Sequence, residues 1–113
     1  MVRATVGEVK KLFGGTLPPN WTTEANVTNL CLLVDAELDA LTYPDIISET
    51  SVEAKVLANE IVYRRMIHAN WAHAGATTEE PRIWTRDLIT RLTRLSKDAT
   101  FKGFAASPMQ EET

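Results

Sequence analysis

A chain of 113 residues with 44% hydrophobic and 24% charged side chains has the composition of one globular domain, long enough to bury about two-thirds of its extended-chain surface. These proportions exclude a wholly disordered chain, and a net charge of -3 argues against a surface that is basic throughout, as a protein coating nucleic acid would have. Cys31 is the sole cysteine, so no internal disulfide forms, no Cys/His set has metal-ligand spacing, and no run approaches the ~20 apolar residues of a membrane span. The opening Met1-Val2-Arg3-Ala4-Thr5 lacks the apolar stretch of a signal peptide, so a reducing cytoplasm is the expected place of synthesis.

The first element is a short helix. Thr5-Val6-Gly7-Glu8 has the form of a capping box, Val6, Val9, Leu12 and Phe13 make an apolar stripe, and Gly14-Gly15 closes it. Pro18-Pro19 keeps the chain from continuing as a helix. The second helix is predicted from Thr22 or Thr23 to Thr42, where Tyr43-Pro44 stops it. Val27, Leu30, Cys31, Val34, Leu38 and Leu41 share one face at helical spacing and belong to the core. Leu32, Leu33, Ala36 and Ala40 form a second apolar strip, flanked by Asp35, Glu37 and Asp39. That strip reads either as scattered exposed apolar residues or as a subunit contact.

Thr50-Ser51-Val52-Glu53 is a second capping box and opens the third and longest helix, which meets no Gly or Pro before Gly75. Its apolar residues, from Val52 and Val56 through Ile61 and Met66 to Trp71, are spread round the circumference, as in a central helix contacted from several sides. Glu60 and Arg64 form a favourably ordered pair four residues apart, expected on an exposed edge. Thr77-Thr78-Glu79-Glu80-Pro81 has the hydroxyl, acid and proline signals of a helix start. The fourth helix is therefore predicted to run from there to about Ala99, with Trp84, Leu88, Leu92 and Leu95 inward and Arg82, Arg86, Arg94 and Lys97 outward. Periodicity then ends, leaving Phe101, Phe104 and Met109 in an aperiodic stretch. The expected architecture is all-α, a small bundle of about four helices with a long central helix, comprising a domain over 1–99 and an extended tail over 100–113.

Charge is sorted along the chain. Between Lys11 and Lys55 there is no Lys or Arg, but there are Glu24, Asp35, Glu37, Asp39, Asp45, Glu49 and Glu53, whereas Arg82 to Lys102 carries six cations. Opposite faces of this kind favour head-to-tail association of copies. The expected subunit interface sets Leu32, Leu33, Asp35, Ala36 and Asp39 of helix two against Arg82, Arg86, Arg94 and Lys97 of helix four in the next copy. The tail, with Phe101, Phe104 and Met109, is expected to order only in the groove of a partner.

Chemistry finds little support in the residues. His68 and His73 lie about 140° apart on a helix and cannot chelate one metal as an i, i+4 pair does. No nucleophile elbow, phosphate loop or Cys-x-x-Cys occurs, and Asp35 with Asp39, lacking a clustered His or Lys, reads as a solvated face. The expectation is a protein that is not an enzyme, with no catalytic residue, metal or cofactor. The alternative is a small helical DNA-binding or regulatory protein that tracks phosphates with the basic face of helix four.

The opening Thr5-Val6-Gly7-Glu8-Val9-Lys10-Lys11-Leu12-Phe13, the acidic helix Val27 to Leu41 followed by Tyr43-Pro44, and the long helix from Val52 to Trp71 with Ala54, Leu57, Ala58 and Tyr63 resemble the head–tail connector (adaptor, head-completion) proteins of tailed bacteriophages. The likeness is one of length, helix order and pattern, up to about Lys97. It implies a structural virion protein of the neck, made in the host cytoplasm, that assembles as a ring, commonly of twelve copies. Such a ring docks on the portal protein and leads DNA toward a stopper or tail protein. It also implies that the C-terminal segment, here Phe101, Phe104 and Met109, docks on the portal, and that there are no catalytic residues to carry over.

Overall fold

The computed structural model describes residues 3–18, 21, 23–45, 47, 48, 50–73 and 79–96. They form an all-α bundle of four helices, α1 (Val6–Leu12), α2 (Glu24–Thr42), α3 (Val52–His73) and α4 (Arg86–Leu95), with no strand among the described residues. α3 is the longest and packs against each of the other three. The core is drawn from all four: Val9 of α1, Val27, Val34 and Leu38 of α2, Leu57, Ile61 and Met66 of α3, and Leu88 and Leu92 of α4.

Local chemistry accounts for most helix ends. Gly14 and Gly15 have φ of 78° and 100°, the left-handed region that glycine enters without a steric penalty, and the Gly15 amide donates to the Lys10 carbonyl at 2.8 Å. At the end of α2 the Tyr43-Pro44 peptide bond is cis. The Thr42 hydroxyl, fully buried there, donates to the Leu38 carbonyl at 2.9 Å.

Three helix starts differ from the expectation. Thr5 occupies the N-cap of α1, but its side chain makes no cap bond. Its amide donates instead to Asn59 Oδ1 of α3 at 2.9 Å, while Glu8 pairs with Lys11. For α3 the capping hydroxyl is that of Ser51, accepting from the Ala54 amide at 3.3 Å, and not that of Thr50, which pairs with Ser48. α4 begins well after the Thr77-Pro81 signal: Thr85 is its N-cap, accepting from the Leu88 amide at 3.2 Å, with Asp87 in the first turn where the helix dipole favours an acid. Residues 79–85 are non-helical and place Trp84 in the core ahead of the helix. The helix ends at Leu95, before Ala99, because Ser96 turns extended.

Candidate interaction surface

The acidic side of α2 is largely closed from within the same molecule. Arg3, only 1% exposed, lies along it. Its backbone amide donates to both carboxylate oxygens of Asp35, at 3.0 and 3.1 Å, and its Nη1 donates to Asp35 Oδ1 at 3.2 Å. Its Nη2 donates to Asp39 and, at 3.0 Å, to the Ile47 carbonyl. One guanidinium thereby ties the N-terminal segment and the loop after α2 to the helix. Burying two charges is costly in a low-dielectric interior, and hydrogen bonds made by each partner offset that cost here. The same negative charge acts on Cys31, one turn earlier: burial, and secondarily Asp35, push its thiol from 9.0 up to about 11.

Further along α2, Glu37 is held by Arg65 of α3, and Glu24 by Lys10 of α1 at 3.4 Å. Glu60 is no exposed ornament. It is half-buried between α3 and α4, with Oε2 on Arg64 Nε at 3.3 Å and Oε1 on Arg91 Nη1 at 2.8 Å. The bond to Glu60 is the largest cause raising the Arg91 pKa above its ordinary value. The charge sorting visible along the chain is therefore resolved to a large extent by folding, which brings Arg3, Arg65 and Lys10 onto the acidic helix.

The expected interface residues separate into three groups. Leu32, Leu33 and Ala36 stand exposed on the outer side of α2, with Leu33 at 59%. Asp35 is buried under Arg3 and is not part of any surface, a correction to its expected place, while Asp39 keeps about half its side chain in solvent. Arg86 and Arg94 are exposed on α4, but Arg82 precedes the helix, is half-buried, and offers its carbonyl to Arg64 at 3.3 Å. Lys97, Phe101, Phe104 and Met109 lie outside the described residues, as does the whole predicted tail.

Two features escaped the sequence reading. Arg3 has no role in that reading, because nothing local in the sequence links a lone cation before α1 to carboxylates more than thirty residues away. Val52 and Val56, read among the apolar residues of a central helix contacted from several sides, are exposed at 72% and 51%. Elsewhere His68 Nε2 meets Glu80 at 2.6 Å, with its ring tilted against Trp71. Among the described residues no three His, Cys, Asp or Glu side chains gather as a metal site, and no described helix is long and apolar enough to cross a membrane.

The fold and surface thus define a small all-α bundle with internally paired charges and exposed apolar strips. Comparison of the chain with protein-family models, with curated proteins and with solved structures finds no match.

Proposed function

We propose that the chain is a structural assembly module, a ring-forming connector of the kind found in the neck of tailed bacteriophages. The observation that carries this reading is the outer side of α2. Leu32 and Leu33 are exposed there beside Ala36 and Ala40, whereas the carboxylates best suited to chemistry, Asp35, Asp39, Glu37 and Glu60, are each held by an arginine. A helix that satisfies its acids internally and leaves its leucines in water is suited to contact with another protein and poorly arranged for catalysis. On this reading the protein is not an enzyme. About twelve copies form a ring in the virion, one end docking on the portal through Phe101, Phe104 and Met109 and the other meeting a stopper or tail protein. The net charge of -3 per copy suits a channel through which DNA slides without sticking.

The competing reading, a DNA-binding or regulatory protein, draws on Arg86 and Arg94, both exposed on α4. Its row of phosphate contacts is shortened by the withdrawal of Arg82 and by the engagement of Arg91 with Glu60 and Asp87. The test is to mix the protein with rings of tailed-bacteriophage portal proteins and to follow binding by sedimentation and electron microscopy. Binding that is lost on replacing Phe101 and Phe104 by Ser is the expected outcome. Absence of portal binding, together with tight duplex binding at physiological salt and a steep salt dependence, would establish the DNA reading instead.

A further inference from the structure

Val52 and Val56 form an exposed ridge at the start of α3, between two grooves. The one toward α1 has a volume of about 640 Å³ and is walled by Leu12 and Lys55, and the one toward α4, of about 380 Å³, is walled by Arg94 and Leu95. Leu12 is itself exposed, so the ridge and its flank make one apolar surface rather than isolated side chains.

This surface and the leucine strip of α2 point away from each other. At 3.6 residues per turn Val56 lies about half a turn from Arg65, the residue that reaches across to Glu37 of α2. Ala36 likewise lies about half a turn from Val27, which is buried in the core. Neither surface can therefore cover the other within one molecule. Between copies they can, and two different patches on opposite sides give a head-to-tail contact that closes into a ring when the rotation permits.

Charge supports the match. The α2 strip lies in a segment without any Lys or Arg, with the half-exposed Asp39 at its edge. The ridge is flanked by Lys55 on one side and Arg94 on the other, both exposed and neither with a carboxylate partner among the described residues. Most acids of the grooves are occupied: Glu8 by Lys11, Glu60 by Arg64 and Arg91, and Asp87 by Arg91, leaving Glu53. At the strip one guanidinium, that of Arg3, serves both Asp35 and Asp39, so a net negative charge remains where Asp39 reaches solvent, whereas at the ridge Lys55 and Arg94 outnumber Glu53.

We propose that the Val52–Val56 ridge of one copy receives the Leu32–Leu33–Ala36 strip of a second copy of this chain. The proposal rests on the assembly reading and names the acceptor surface, which is the start of α3 with its two grooves and not the basic face of α4 as a whole. Leu33→Glu disables the strip and leaves the ridge intact, and Val56→Glu does the reverse. Sedimentation of the full-length wild type at rising concentration is expected to show oligomers, and each variant alone a monomer, its self-association weakened at least tenfold. The two variants mixed in equal amounts are expected to give a complex of two subunits and nothing larger, because only one productive contact is left. Circular dichroism checks that each variant is folded, and Leu33→Gln with Val56→Gln replaces any that is not. Wild-type oligomers that survive both substitutions, or a mixture that stays monomeric, overturn this pairing and leave the assembly reading standing. Loss of association in the Leu33 variant alone also overturns it, in favour of strips packed on each other. A wild type that stays monomeric at every concentration overturns the pairing, while the portal-binding experiment decides the assembly reading independently.

Discussion

The two sides of α2 invert the arrangement expected of a surface helix. On one side a carboxylate, Asp35, is buried beneath an arginine that is almost wholly removed from solvent. Farther round the helix, about 60° and 160° from Asp35, Leu32 and Leu33 remain in water. Polarity by itself decides neither case. Asp35 is buried because Arg3 supplies both backbone and side-chain donors to it, and the leucines are exposed because no element among the described residues lies over them. Burial follows the availability of a partner, and the side that lacks one inside the molecule is the side to examine for a partner outside it.

The largest effect should come from the buried side. Arg3→Met removes the counter-charge of buried Asp35 while the amides of residues 3 and 4 still donate to it, and is expected to cost about 3 kcal/mol in urea unfolding. Arg3→Met combined with Asp35→Asn should recover part of this, since the buried charge is gone and the side-chain carbonyl of the asparagine can still accept from the amides of residues 3 and 4. A loss below about 1 kcal/mol for Arg3→Met would erase the contrast between the two sides of the helix.

Alkaline unfolding tests the same region. The Cys31 thiol is raised to about 11 in the folded chain against an ordinary 9.0, so the folded state holds its proton where the unfolded state has released it. This contribution is complete below pH 9 and lost as pH rises toward 11. The loss should be on the order of 2 kcal/mol. Compared with Cys31→Ala, wild type should therefore show the steeper decline in stability across that window, and parallel profiles would contradict the assignment.

Thr42→Val removes the buried hydroxyl that bonds the Leu38 carbonyl and should lower stability by about 1 kcal/mol, measured by thermal denaturation. Leu33→Glu, on the exposed side, should change folding stability by less than about 0.5 kcal/mol while acting on association. If it proves as damaging to the fold as Thr42→Val, the leucine strip is serving the monomer and the two sides are less different than they look.

The sequence by itself determined the features that depend on neighbours along the chain. The buried positions of α2 recur at helical spacing. The Gly14-Gly15 and Tyr43-Pro44 breaks are local steric facts, and four apolar-periodic segments without strand patterns lead to an all-α bundle. The strip of Leu32, Leu33 and Ala36 was legible for the same reason, since it is what remains of α2 once the core face is assigned. Only the tertiary structure decided where Arg3 goes, because its partners Asp35, Asp39 and the Ile47 carbonyl are remote in sequence and meet it only when the N-terminal segment is laid along α2. It likewise separated Val52 and Val56 from the rest of the α3 apolar residues: a helix apolar all round does not reveal which side will be left uncovered. The start of α4 shows the same limit. Thr78 and Thr85 both precede acids at suitable positions, and local chemistry does not rank them. The choice fell to Thr85 because residues 79–84 cross α3 in non-helical form, where Glu80 meets His68, the Arg82 carbonyl accepts from Arg64 and Trp84 enters the core.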